Sequence, residues 1–273
     1  MTDAADRLQR LLTLEPAGRD RFEAVTPSDG PGRLFGGQVA AQSLRAATLT
    51  VDGARPPHSF HAYFVRPGRP GTPLVLDVIR IRDGRSFTTR AVTATQGGEA
   101  IFFLAASFHA AEPGDDWQLP ARDDVDGPGD AEVTPSPLAR FESMMPFEIR
   151  PAAGRSAMGF ALHPFWVRVG GTLPDDAALH ACCLAFMSDM GVVGSALAPN
   201  ATVQPFMGAS LDHAVWFHRP ARADEWLLFD VAPVSNFGAR GLARGSMHTE
   251  DGALVASIAQ EALLRPAGPT PLP

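Results

Sequence analysis

The chain has 273 residues, 45% apolar and 19% charged, enough hydrophobic material for one large core or two ordinary ones and too little charge for wholesale disorder. A formal charge of −7 works against attraction to a phosphate backbone, so no nucleic-acid partner is expected. All 23 cationic residues are arginines, which excludes Schiff-base lysines, P-loop lysines and kinase-type lysines at once.

The first sixteen residues, MTDAADRLQRLLTLEP, lack the basic-then-apolar order of a signal peptide, and no run approaches the roughly 18 apolar residues of a membrane span. A cytoplasmic protein without membrane insertion is expected. Gly36-Gly37 then precedes a helical candidate at 38–47 that is apolar on nearly every side, as a buried helix would be. The glycine pair suits a tight turn or a cradle for an anion at the helix N-terminus. Residues 58–67, His-Ser-Phe-His-Ala-Tyr-Phe-Val-Arg-Pro, read as a strand ending in a turn, and alternating sequence resumes at Ser86-Phe87-Thr-Thr-Arg90. Gln96-Gly-Gly-Glu99 is a hairpin signal, followed by the apolar run 101–108. Residues 112–137, rich in Pro, Gly and Asp, read as a linker or long loop.

A second helical candidate occupies 177–187, after Leu173-Pro-Asp-Asp176, whose carboxylates suit a helix start. Cys182 and Cys183 lie within it as neighbours, a placement that fits core packing rather than a disulfide. Residues 211–220, Leu-Asp-His-Ala-Val-Trp-Phe-His-Arg-Pro, are again strand-like, as are Asn236-Phe237-Gly-Ala-Arg240 and the run 254–264 after the turn signal Glu250-Asp-Gly252. The tail 266–273 is expected to fray.

The chain therefore reads twice. Phe64-x-Arg66-Pro67 matches Phe217-x-Arg219-Pro220 at a separation of 153 residues, and each half runs in the order helix, strand, strand, hairpin, strand. One buried helix against consecutive strands is an α+β arrangement with an antiparallel sheet, since the βαβ alternation of parallel sheets is absent. The expected division is 1–115, a linker at 116–144, and 145–273.

Several chemistries find no foothold. There is no G-x-S-x-G nucleophile elbow, no H-E-x-x-H and no paired C-x-x-C. His58 and His61, three apart on a strand, should point to opposite faces rather than converge on a metal.

Arg33-Leu-Phe-Gly-Gly-Gln-Val-Ala-Ala-Gln42, the segment 58–68, and Arg82-Asp-Gly-Arg-Ser-Phe87 resemble the acyl-CoA thioesterase II family. Ser188-Asp189-Met190, the segment 211–220, Ala239-Arg-Gly241 and Ala259-Gln-Glu261 follow in that family's order, so the likeness covers almost the whole chain, although 190–208 matches poorly. The resemblance implies a double hotdog fold: two tandem repeats, each an antiparallel sheet wrapped around a long helix. It implies hydrolysis of acyl-CoA to free fatty acid and CoA with no cofactor and no metal, and a homo-oligomer, dimer or tetramer. It also implies three catalytic positions, which fall here on Asp189, Ser210 and Gln260, with serine standing where bacterial relatives often have threonine. In that reading the three hold the attacking water, and the N–H groups at Gly36-Gly37 are candidates for the oxyanion.

Asp212 is the local rival to Asp189, because positions 210 and 212 share parity along one presumed strand. A hotdog hydratase or dehydratase would instead need an Asp and His pair, for which His61 and His213 are available, and a non-catalytic acyl-CoA binding module is the further alternative. Arg85 or Arg90 could meet CoA phosphates at a cationic mouth, or be ordinary exposed strand charges.

Overall fold

The computed structural model describes residues 4–28, 32–53, 55–129, 145–152, 163–198 and 206–266. The first half contains α1 (Ala4–Leu12), β1 (Leu14–Gly18), β2 (Arg21–Ala24), α2 (Gly36–Thr48), β3 (Pro57–Phe64), β4 (Leu74–Asp83), β5 (Phe87–Gln96) and β6 (Glu99–His109). The second contains β7 (Phe147–Pro151), β8 (Phe165–Val169), α3 (Ala177–Met187), α4 (Val192–Ser195), β9 (Phe206–Ser210), β10 (Asp212–Phe217), β11 (Leu227–Phe237), β12 (Arg240–Thr249) and β13 (Leu254–Pro266).

The strands form one antiparallel sheet in the order β1-β2-β4-β5-β6-β3-β10-β13-β12-β11-β8-β7, with β9 added along the far end of β13. Read outward from the centre, β3-β6-β5-β4 and β10-β13-β12-β11 repeat the same topology, so the internal repeat of the sequence becomes a two-sided molecule joined at β3 and β10. Both hairpin signals act as expected. Gly97 and Gly98 take φ of 59° and 83° between β5 and β6, a left-handed pair that a side chain would strain.

Helices α2 and α3 lie side by side beneath the sheet. Every α2 residue from Gly37 to Leu44 is buried, which explains why that helix is apolar all round and made of small residues. Within it, Gln42 spends its amide N–H groups on the carbonyls of Leu11 and Val25 at 2.9 Å each and accepts from Gln38 at 3.4 Å. The helices approach tightly at Gly37, where a Cβ would come within 2.3 Å of the Phe186 carbonyl oxygen. Gly36-Gly37 thus form the first turn of α2 rather than a loop before it. Asp176 caps α3 as its composition suggested, accepting from the N–H groups of Ala178 (2.9 Å) and Leu179 (3.2 Å). Cys182 and Cys183 are free and fully buried, and burial pushes the Cys182 thiol up to about 12.

Sequence reading missed α1, a short helix whose Ala5, Leu8 and Leu12 recur at helical spacing and are buried. It also misjudged Arg90, which is neither an exposed charge nor part of a mouth. Arg90 is 1% exposed, and its guanidinium donates to Thr50 Oγ1 (2.8 Å), the Thr50 carbonyl (3.0 Å), the Arg82 carbonyl (3.1 Å), the Thr89 carbonyl (3.0 Å) and Asp83 (2.5 Å). Those acceptors satisfy the whole fork and let a cation sit in the core, an option that strand parity alone does not reveal.

Of the linker, residues 130–144 lie outside the described residues, as do 267–273 of the tail. The described part carries no regular structure yet is fastened to the second half. Gln118 bonds the Gly252 carbonyl (2.8 Å) and the Leu254 N–H (2.9 Å), and the Trp166 indole donates to the Asp126 carbonyl (2.8 Å). Among the described residues, no helix is long and apolar enough to cross a membrane.

Candidate active site

A cavity of about 960 Å³ opens where the start of α2, the end of α3, the turn after it and β9 meet the ends of β3 and β6. Its wall is mainly apolar, with Leu34, Val39, Phe64, Phe102 and Phe186 prominent, while Asp189 and Ser210 also line it and Arg33 and Arg66 stand among its residues. That size lies near the upper end of ordinary ligand pockets, roughly 300–1,000 Å³, and the mix of apolar wall with few polar groups suits a largely apolar ligand.

Asp189 follows Ser188, the C-cap of α3. A carboxylate just past a helix C-terminus faces the negative end of that helix, an unfavourable place taken alone. The second helix offsets this. Phe35 provides α2 with no side-chain cap, and the Asp189 carboxylate stands instead beside the first turn, where the Gly37 N–H pulls its pKa down. One half of the molecule therefore sets a carboxylate at the helix start of the other, where the unpaired N–H groups favour negative charge. Gly36 makes the approach possible, since a Cβ there would meet Asp189 Oδ2 at 2.6 Å and the Phe64 ring at 2.7 Å.

Burial is the largest influence on Asp189 and raises its pKa from 3.8 to about 6, against the downward pull of hydrogen bonds from Gln260, Gly37 N–H and Ser210 and the charge of Arg33. A carboxylate with this pKa is ionised near neutrality yet accepts a proton more readily than an ordinary aspartate.

The three expected residues come together. Gln260 Nε2 donates to Ser210 Oγ at 2.8 Å, and Ser210 Oγ donates to Asp189 Oδ1 at 3.4 Å. They derive from β13, β9 and the end of α3 respectively, and β13 and β9 are set side by side by the pairing of Ala262 with Ser210. Gln260 is fully buried and does not line the cavity, so it stands behind the other two.

Several alternatives do not reach the site. The chain breaks at Leu211 between β9 and β10, so positions 210 and 212 do not belong to one strand. Asp212 instead accepts the Glu261 N–H at 2.7 Å, a backbone staple outside the cavity. His61 lies on the outer face against Trp216, with ring centroids 5.2 Å apart, and His213 is buried away from the cavity. His58 lies 2.8 Å from Ser107 Oγ and beside Phe87 and His109, on the same outer face as His61, because the irregularity between Pro57 and Ser59 breaks the strand parity that would set the two imidazoles on opposite faces. The Gly37 N–H, a candidate for the oxyanion, faces the Asp189 carboxylate. Sequence reading gave Phe64 no role in the site and treated His213 only as a possible lyase base. Nothing in the local pattern distinguishes Phe64 from other strand aromatics.

The family model for acyl-CoA thioesterase matches residues 138–263, and that for the acyl-CoA thioesterase N-terminal domain matches residues 26–109. Acyl-CoA thioesterase 2 of Haemophilus influenzae is 34% identical over 97% of this chain and 99% of its own. An acyl-CoA thioesterase II from Mycobacterium marinum superposes with a TM-score of 0.80 at 38% identity, covering 96% of this chain and 99% of that one. A hot dog fold protein from Alicyclobacillus acidocaldarius, 22% identical, superposes with a TM-score of 0.76 over 97% of this chain and 99% of its own, a likeness of fold alone. Sequence identity of this order along nearly the whole length of both chains, on a shared double hotdog architecture, settles the family: this chain belongs to the acyl-CoA thioesterase II family, hydrolases of acyl-CoA thioesters.

Proposed function

We propose that this chain hydrolyses fatty acyl-CoA by direct attack of a water held by Asp189 and Ser210, with Gln260 fixing both from behind. The observation that carries this reading is a buried carboxylate of raised pKa on the wall of an apolar cavity, with a hydroxyl beside it. Asp189 takes a proton from the water as its oxygen bonds to the thioester carbon. The tetrahedral intermediate then collapses, the C–S bond breaks, and CoA leaves as a thiolate that is protonated from Asp189 or solvent. Ser210 donates its only proton to Asp189 and receives one from Gln260, leaving a lone pair for the water. The thioester needs little more activation, because placement and a proton acceptor already supply several orders of magnitude.

Thiol release from acyl-CoAs of graded chain length tests the reaction. kcat/KM should rise with pH and reach half its plateau near pH 6, because the base must be ionised and its pKa is about 6. A rate independent of pH between 5 and 8 would exclude Asp189 as the base.

The homo-oligomer is supported by the centre of the outer sheet face. There Tyr63 (62% exposed) pairs with Phe103, and Trp216 is 38% exposed beside His61. Such a contiguous aromatic patch is unusual on a monomer surface. Light scattering should return a multiple of 29.0 kDa, and the monomer mass would refute the assembly.

A further inference from the structure

His213 and Gln260 carry an unresolved pairing at the heart of the molecule. The antiparallel register sets Ala214 of β10 opposite Ala259 of β13, and continuing it by one residue brings His213 opposite Gln260. Both side chains point inward, at 1% and 0% exposure. His213 Nδ1 and Gln260 Oε1 are each buried without a partner of good hydrogen-bond geometry, yet the Gln260 side chain lies near enough to pull the His213 pKa upward against burial, so the two unpaired atoms face one another.

The remaining atoms of both residues are committed. Gln260 Nε2 donates to Ser210 Oγ at 2.8 Å and its amide also serves Asp189, while His213 Nε2 is 2.7 Å from Ser188 Oγ. A buried imidazole is neutral, with one nitrogen that donates and one that accepts. Were the proton on Nε2, the Nδ1 lone pair would face the Gln260 oxygen, acceptor against acceptor. Were the amide reversed to relieve this, its oxygen would face Ser210 and the Asp189 carboxylate. One arrangement satisfies every atom: proton on Nδ1, directed to Gln260 Oε1, and Ser188 Oγ–H donating to Nε2 in place of its other acceptor, the Ala185 carbonyl.

We propose that His213 is a positioning residue for hydrolysis, its Nδ1–H holding the Gln260 amide with the NH2 group toward Ser210 and Asp189. This rests on the reading of Asp189, Ser210 and Gln260 as the group that activates water. Without the Nδ1 donor the amide samples both orientations, and only one of them supports the base. Because neither His213 nor Gln260 lines the cavity, the effect falls on kcat and leaves KM in place.

Three substitutions separate positioning from packing. His213→Asn keeps a donor where Nδ1 stands, His213→Gln keeps a polar group toward Ser188 but loses that donor, and His213→Phe keeps only the ring. Positioning predicts kcat within about threefold of native for Asn and roughly tenfold or more below it for Gln and Phe, all with native KM. Gln matching or exceeding Asn would overturn the proposal. In a Gln260→Ala background the His213→Gln effect should vanish, since the residue through which it acts is gone. Native turnover in Gln260→Ala alone would sink the reading of the trio. A damaged Gln260→Ala enzyme in which the His213 variants rank otherwise would sink only the role of His213. The native protein supplies a check that needs no variant: 15N spectra of the imidazoles, with the His213 ring assigned by correlation to its own backbone, should place the proton on Nδ1. A proton on Nε2 would overturn the inference.

Discussion

Asp189→Asn should abolish turnover by about a hundredfold or more while leaving the fold intact, on the scale expected when a general base is removed. Asparagine preserves the volume of the side chain but cannot accept a proton from water. Stability should respond in a way that identifies the carboxylate. The unfolded chain ionises Asp189 near 3.8 and the folded chain near 6, so between those values the native state binds more protons than the unfolded one. Stability contributed by this group is therefore greatest below pH 4, falls as pH rises through 6, and is flat above. A gap of about two pKa units corresponds to ~3 kcal/mol at most across that range. Thermal melts of native protein should carry this slope and those of Asp189→Asn should lack it. Against the gain from removing a buried charge, asparagine turns an NH2 group toward donors, including the Gly37 N–H, which offsets part of it. A folded variant with native turnover would refute the assignment outright.

Gly36→Ala carries the second large effect, and here two terms of opposite sign compete. Alanine in place of glycine ordinarily favours a helix by about 1 kcal/mol. At this position, however, the added methyl would lie 2.6 Å from Asp189 Oδ2 and 2.7 and 2.9 Å from the Phe64 ring, closer than carbon atoms can approach. The carboxylate is hemmed in on its other sides by the start of α2, Gln260 and Ser210, so relief must come from moving the carboxylate or the ring. Crowding of this kind costs about 1–3 kcal/mol, which cancels or exceeds the helix gain. Displacement of a base by about 1 Å can cost a hundredfold in rate, so kcat should drop between tenfold and a hundredfold with little loss of fold. Stopped assays of thiol release beside circular-dichroism melts would show both quantities. Full activity in Gly36→Ala would mean that Asp189 is not held against the start of α2 during turnover.

These two residues explain why part of the site was legible in advance and part was not. Asp189, Ser210 and Gln260 stand in an order along the chain that a family pattern records, so they could be named without a structure. Individually each is unremarkable: an aspartate after a helix, a serine at a strand end, a buried glutamine. Asp212 looked equivalent to Asp189 because side-chain parity assumes an unbroken strand, and the break at Leu211 removes that premise. The Gly36-Gly37 pair suits a tight turn or an anion cradle by sequence, and in the structure it opens α2 beside the carboxylate of Asp189.

What the sequence determined by itself was the repeated unit. An unbroken apolar run behind an acidic start placed α3 at its observed bounds, alternation located the central strands and the glycine-bearing turns placed the hairpins, because burial and turn chemistry act locally along the chain. The tertiary structure alone decided which distant groups became neighbours. It set Asp189 of one half on the helix start of the other, Gln260 behind Ser210, His213 opposite Gln260, and Arg90 among carbonyls in the core. The physical reason is that parity fixes the face a side chain occupies, whereas its partner across the sheet or between the helices depends on register and packing between segments far apart in the chain.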